Sequence, residues 1–135
     1  SAIVDVKGVN SSGLAGINEA IRSGVLTKTL KNARMAVETQ HVEEVLTRLG
    51  TGKGNVVYGP DEVTKANQYG AIERLLIIDT LLRESPDEKR LELEKLMRQV
   101  EEKSGQITVV STEHEAGNKL DGLGGIAALL RYPIN

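Results

Sequence analysis

The sequence predicts an α/β protein in which helices cover both faces of a mixed or mostly parallel sheet. Two observations carry this. After residue 54 the pattern alternates strand, helix, strand, helix, strand, helix, strand. Within that alternation, Leu75-Leu76-Ile77-Ile78 is an unbroken apolar run, which suits a strand covered on both sides.

The elements follow in order. Ile3-Val4-Asp5-Val6 reads as a short strand, followed by turn chemistry at Gly8-Val9-Asn10-Ser11-Ser12-Gly13. A helix is expected from about Gly13 to Arg22, stopping at Ser23-Gly24. A longer helix, from about Thr27 to Leu49, places Leu30, Ala33, Val37, Val42, Val45 and Leu49 at spacings of three to five residues, with His41 on the same stripe. One apolar stripe cannot bury itself, so this helix must pack on something. Gly50-Thr51-Gly52-Lys53-Gly54 breaks it, and the domain boundary is placed there: residues 1–50 belong to one unit and 51–135 to the next. Beyond it, Asn55–Tyr58 is a strand. Gly59-Pro60-Asp61-Glu62 opens a helix with proline and acids in its first turn, and Gly70 closes it. Ser85-Pro86-Asp87-Glu88 reads as a capping box for a helix burying Leu93, Leu96, Met97 and Val100. Ile107–Val110 is a strand. Thr112 to Glu115 suggests a second capping box and a short helix to Leu120, and Ile126–Tyr132 is the last strand, ended by Pro133.

Composition narrows the function. The 135 residues carry 17 Lys+Arg and 19 Asp+Glu, a formal charge of −2, with 27% charged and 39% hydrophobic residues, as in globular domains. Without cysteine there is no disulfide frame, thiolate metal site or cysteine nucleophile. Tyr58, Tyr69 and Tyr132 are the only aromatics, too few for a base-stacking platform, and the charge balance is wrong for a broad grip on phosphates. No DNA partner and no membrane partner are expected, because no apolar run reaches the roughly 18 residues that span a bilayer. The amino terminus lacks the pattern of a signal peptide, so a cytoplasmic location is expected.

No catalytic set emerges, and no catalytic residue, metal ligand or cofactor is assigned. Gly50–Gly54 follows a helix and precedes a strand, the reverse of a phosphate loop, and reads as a linker. Gly122-Leu123-Gly124-Gly125 likewise precedes a strand. Glu113-His114-Glu115 would point in three directions on a helix, so capping and dipole roles explain it better than a metal does. His41 reads as a packed histidine at an interdomain seam, Asp79 as the cap of a turn into Thr80-Leu81-Leu82, and Ser11, Ser12 and Ser111 have no triad partners in view. Gly50, Gly52 and Gly54 read as a hinge, because glycines leave the backbone many conformations. On residues alone the chain is a binding or adaptor module.

Several segments resemble the Pelota/Dom34 family, paralogues of the class-1 release factors eRF1/aRF1. They are Gly13-Leu14-Ala15-Gly16 with Glu19-Ala20-Ile21, Asn67-Gln68-Tyr69-Gly70-Ala71-Ile72-Glu73, Leu75–Asp79, and most specifically Leu123 to Pro133. The inserted minidomain or Cys-rich zinc finger usual in release factors is absent, as is their glycine-glycine-glutamine hydrolysis motif, which points to a compact, archaeal-type Pelota. The resemblance implies a C-terminal piece. Residues 1–50 would be the end of the central domain, a strand plus two helices, and residues 51–135 an L30e-like three-layer α/β/α domain with a mixed sheet. The implied function is recognition and dissociation of stalled ribosomes in no-go and non-stop decay. The implied partners are the stalled ribosome, an EF1α/Hbs1-type GTPase and an ABCE1-type ATPase. The endonuclease activity and divalent metal proposed for the family would belong to an N-terminal domain that this sequence does not contain. Arg131 and Tyr132 match the Leu-Arg-Tyr ending that lies near the GTPase-facing side in release factors. The alternative is that Tyr132 only closes the core.

A second likeness concerns Pro60 to Ala66, which is similar to the Asn-Glu-x-x-Lys-Ala segment of L7Ae-type kink-turn RNA binders. Glu62 and Lys65 would be the RNA contacts. Asp61 stands where those proteins have Asn, and residues 52–135 hold eleven basic against fourteen acidic side chains, so protein docking is the first reading and kink-turn binding the alternative.

Overall fold

The computed structural model describes residues 15–134, with side chains described from Gly24 onward; the strand expected at Ile3–Val6 and the turn before Gly13 lie outside the described residues. The described chain runs α1 (Ala15–Thr51), β1 (Val56–Tyr58), α2 (Pro60–Gln68), β2 (Ile72–Ile78), α3 (Asp79–Glu84), α4 (Asp87–Glu102), β3 (Gln106–Val110), α5 (Glu115–Gly122) and β4 (Ile126–Leu130). The four strands make one mixed sheet in the order β1-β4-β2-β3. β4 is antiparallel to both β1 and β2, with Val57 opposite Ala128 and Leu76 opposite Ala127, while β2 and β3 are parallel, with Ile77 opposite Val109.

The pleat sorts side chains to two faces. Val57, Leu75, Ile77, Ile126, Ala128 and Leu130 meet Val63 and Ala66 of α2 and Leu93, Leu96 and Val100 of α4. Val56, Leu76, Ile78, Ala127 and Leu129 meet Val42 and Val45 of α1 and Ala116 and Leu120 of α5. The domain is therefore a three-layer α/β/α arrangement. Central β4 is buried along its whole length, as its apolar sequence predicts.

Three expectations are corrected. The two helices expected before residue 50 are one, since Ser23-Gly24 does not end α1. A glycine costs an interior helical position only about 0.5–1 kcal/mol, too little to break a 37-residue helix. Ser85 does not cap α4: its hydroxyl donates to the Leu81 carbonyl, closing α3, and the residue before α4 is Pro86. The last strand ends at Leu130, so Arg131 and Tyr132 stand outside the sheet.

The residues on either side of the glycine segment share one cluster. The chain divides into two compact units, Ser1–Arg34 and Met35–Asn135. In the second unit, Leu46 and Leu49, just ahead of the glycines, pack on the same cluster as Val56, just after them. Arg48 reinforces the connection: its Nη1 donates at 3.1 Å to both the Asn55 and Leu130 carbonyls. Gly50 is the penultimate residue of α1, and Gly52 and Gly54 take positive φ of 67° and 79° in a tight reversal between two parts of one core. At these two positions the positive φ suits glycine, which has no side chain to strain there.

A chain beginning at Met35 should accordingly unfold cooperatively on heating, whereas one beginning at Thr51 should lack a cooperative transition in calorimetry. Within the full chain, Val45→Ala should cost about 2 kcal/mol in denaturant titration, as the loss of two buried methyl groups with the cavity they leave does.

Candidate partner-binding surface

Arg131 and Tyr132 sit where β4 leaves the sheet, at the end where α2 and α4 finish. The Arg131 amide donates to the Ala71 carbonyl at 2.8 Å. Its Nη2 donates to the Lys103 carbonyl at 2.7 Å, just past the end of α4. Lys103 in turn donates from Nζ to the Asn67 carbonyl at 2.6 Å, in the last turn of α2. Each cation thus faces carbonyls at the negative end of a helix dipole. The Tyr132 hydroxyl donates to the Tyr69 carbonyl at 2.8 Å.

Tyr132 is half-exposed at the rim of the domain. It is 47% exposed and Tyr69 is 57% exposed, and the chain neighbours of this pair include the guanidinium of Arg131 and, through Asn67, the ammonium of Lys103. Tyrosine and arginine are the side chains in which docking energy concentrates. The backbone bonds hold both groups before any partner arrives, which lowers the ordering cost of association.

Glu62 and Lys65 are exposed and lie one turn apart on α2, next to exposed Asp61. They are separate from the buried side of that helix, formed by Val63, Ala66 and Asn67. Buried Asn67 donates from Nδ2 to Gln99 Oε1 at 2.8 Å, tying α2 to α4 across the floor of a groove lined by Thr64, Gln68, Lys89 and Glu92.

On the other face, the structure brings together three residues the sequence kept apart. Glu38 of α1 is buried, and its Oε1 accepts from His114 Nε2 at 2.9 Å and from the Ser111 amide at 2.8 Å. His114 precedes α5 as its N-cap, without a side-chain capping bond; the capping box expected from Thr112 to Glu115 does not form, because the Thr112 hydroxyl donates to Asp79 instead. Glu38, His114 and Ser111 do not form a nucleophilic triad in this geometry. The carboxylate meets the serine through its amide, while Ser111 Oγ accepts from the Glu113 amide. The clamp is close-fitting: a side chain at Gly117 would place its first carbon 2.0 Å from the Ser111 carbonyl oxygen. The overlooked signal was Glu38 itself, an acid one turn before Val42 on the inward side of an amphipathic helix, where burial demands a partner.

Asp79 behaves as expected. Its Oδ1 accepts from the Thr80 amide at 2.8 Å, and from the Thr112 amide and hydroxyl at 3.2 and 3.0 Å. Partial burial raises the carboxyl, but the bonds from Thr112 and Thr80, with Arg83 nearby, outweigh it and hold its pKa below the usual value. His41 lies within the second unit. Burial, then the charge of Arg74, lowers its pKa. Among the described residues, no group of three or more His, Cys, Asp or Glu is placed to hold a metal ion, and no helix is long and apolar enough to cross a membrane.

Residues 35–134 match the family model of eRF1 domain 3, so the chain belongs to the eRF1 domain 3 family. Within it the chain is of the Pelota/Dom34 type, in its archaeal form. It is 43% identical over 129 residues to the pelota homologue of Methanocaldococcus jannaschii, covering 96% of this chain and 35% of that one. Archaeoglobus fulgidus Pelota superposes with a TM-score of 0.77 at 39% identity, over 94% of this chain and 39% of that one. Saccharomyces cerevisiae Dom34, described as a translation termination-like factor involved in RNA quality control and interacting with Hbs1, gives 0.74 at 36% identity, over 98% and 38%. An archaeal Pelota bound to the ribosome together with ABCE1 gives 0.75 at 43% identity, over 94% and 35%. The chain spans a little over a third of the length of these relatives.

Two outcomes follow from this geometry. Glu38→Ala should cost about 3 kcal/mol by leaving buried donors unmet, and Glu38→Gln clearly less, in denaturant unfolding. For His41, a folded pKa below the unfolded value of 6.5 means that the unfolded chain binds more protons in that range. Its stabilising contribution is therefore complete above pH 6.5 and declines as the pH falls from there toward the folded pKa. His41→Gln should flatten the difference in stability between pH 7 and pH 5, and an NMR titration should place the His41 midpoint below 6.5.

Proposed function

We propose that this chain is part of a ribosome-rescue factor, acting in recognition and dissociation of stalled ribosomes, and that its α/β/α domain is the factor's protein-docking module. The partners are an EF1α/Hbs1-type GTPase and an ABCE1-type ATPase. The observation that carries this is the pre-fixed Tyr69, Tyr132, Arg131 and Lys103 group at the end of the sheet, two half-exposed rings beside two cations. Support also comes from the descriptions of the relatives, one interacting with Hbs1 and one bound to the ribosome with ABCE1. Arg131 and Tyr132 are the residues that touch the partner. The factor works where ribosomes are, in the cytoplasm, and its domain takes no cofactor of its own.

The mechanism that fits is docking, not chemistry. The backbone bonds position the rings, the cations meet acidic groups on the partner, and burial of the rings supplies the affinity. The formal charge of the whole chain is −2, so attraction of acidic groups is confined to this patch and gives orientation.

Calorimetry with the archaeal EF1α-type GTPase and with the ABC-type ATPase should show binding to at least one of them. Tyr132→Ala should weaken it about tenfold or more while the melting temperature falls only slightly, since the exposed ring contributes one backbone bond of about 1 kcal/mol. Binding to neither partner, or a Tyr132→Ala protein that unfolds, would overturn this assignment. A gel shift with a kink-turn RNA that is lost in Lys65→Ala would instead favour the RNA-binding reading of Glu62 and Lys65.

A further inference from the structure

We propose that Arg74, Thr108 and His41 form a binding site for one small tetrahedral oxyanion of the phosphate class, taken up together with a proton. The inference does not depend on which partners the tyrosine patch engages. A bulge in β2 builds the site. Ile72 and Leu75 both face the cluster under α2 and α4, although strict alternation would put residues three apart on opposite faces. The register slips between them: Ile72 lies opposite Leu130 and Arg74 opposite Leu129, so Glu73 is an extra residue. Bulges re-aim side chains, and this one turns Arg74 toward the face of Leu76 and Ile78, where α1 packs. Thr108, level with Leu76 on β3, stands on the same face.

The fork of Arg74 is short of acceptors there. Its Nη1 donates to Thr108 Oγ1 at 2.8 Å, and among the described residues its side chain has no carboxylate partner. Arg48 takes the nearby acids instead, at 2.9 Å from Glu44 and 3.6 Å from Glu73. Arg74, Thr108 and His41 are all partly buried, and a partly desolvated guanidinium without an anion is a deficit that a ligand can fill. Thr108 accepts from Arg74, so its own hydroxyl proton is left to donate. His41 makes no side-chain hydrogen bond among the described residues, and its ring offers an N–H. Three kinds of donor from α1, β2 and β3 suit a tetrahedral oxyanion better than a planar carboxylate.

Charge sets when the site fills. The charged groups about His41 are Glu73 and Arg74 of β2 and, on α1, Glu44 and Arg48. β3 contributes none, and Glu38 is turned to His114 and Ser111. The four charges cancel while His41 is neutral and leave one positive charge once it is protonated. Burial and then Arg74 lower the His41 pKa. An anion beside them opposes the second cause and raises it, so anion and proton bind cooperatively. A nucleic-acid strand would be carried on past Glu44 and Glu73, which favours a single small anion.

The test titrates the isotope-labelled full chain with sodium sulfate, a dianion throughout the range used, at constant ionic strength. Saturable NMR shifts at the Arg74 side chain, the Thr108 amide and the His41 ring are expected. The His41 midpoint should rise by about half a pH unit or more in saturating sulfate, and by the reciprocity of linkage sulfate should bind about threefold tighter or more at about pH 5 than at about pH 8. Arg74→Gln should abolish the shifts. Thr108→Val, which suits a strand, should weaken binding severalfold whatever Arg74→Gln does to folding. His41→Gln should keep the binding and remove its pH dependence. Inorganic phosphate and glycerol phosphate then tell a free anion from a terminal monoester by which binds tighter, and either order supports the site. Absent saturation, shifts elsewhere, pH-independent binding in the unchanged chain, equal binding of acetate, or tighter binding of a single-stranded RNA or an acidic peptide at these residues would each overturn the proposal.

Discussion

The constraint on which the rest of the structure depends is that the sheet has two apolar faces and neither can be left in water. β4 is buried throughout, and successive residues of β2 send side chains alternately to the two clusters. One face is covered by α2 and α4. The other would have only the eight-residue α5 were it not for Val42, Val45, Leu46 and Leu49 of α1. At roughly 25 cal/mol per Å² of apolar surface removed from water, losing that cover would remove a large part of what a domain of this size has to set against its conformational entropy. The final turns of α1 are thus a layer of the domain, held by the Glu38 clamp at one end and by Arg48 at the other.

This layer explains why the surface residues stand where they do. Arg48 is bonded to the carbonyls of Asn55 and Leu130, so α1 fixes the end of β4 from one side while Arg131 and Lys103 fix it from the other. Tyr132 is then presented, half-exposed, from a backbone bonded on both sides. The core also fixes β2 in the interior, which leaves β3 at the rim. Docking surface and rim strand are both consequences of the same packing.

Much of the fold was legible in the sequence for physical reasons. Leu75–Ile78 and the apolar stretch from Ile126 read as buried strands, though the latter was carried two residues too far, to Tyr132, and the proline and acids of Pro60-Asp61-Glu62 marked a helix start. The domain boundary was less legible. Gly50–Gly54 is locally strong turn chemistry, and local chemistry does not reveal that the residues on either side share a core. Ser85 and Thr112 looked like caps because their spacing to Glu88 and Glu115 fits that motif; a local back-bond to the Leu81 carbonyl claimed the Ser85 hydroxyl, and a tertiary contact with Asp79 claimed that of Thr112. The Glu38–His114 pair joins positions far apart in the chain, so spacing could not reveal it, although an acid beside Val42 was a sign that something had to meet it. At the surface, Arg131 and Tyr132 were found through a family likeness, and their exposure became visible only once β4 was seen to end at Leu130.

Native-state hydrogen exchange tests the central claim most directly. If the final turns of α1 are a layer of the domain, the amides of Val42, Val45 and Leu46 should exchange only by global unfolding, with the same free energy as Leu76 and Ala127 in the sheet. Exchange of those helix amides at a distinctly lower free energy, while the sheet stays protected, would contradict it and return the boundary to the glycines.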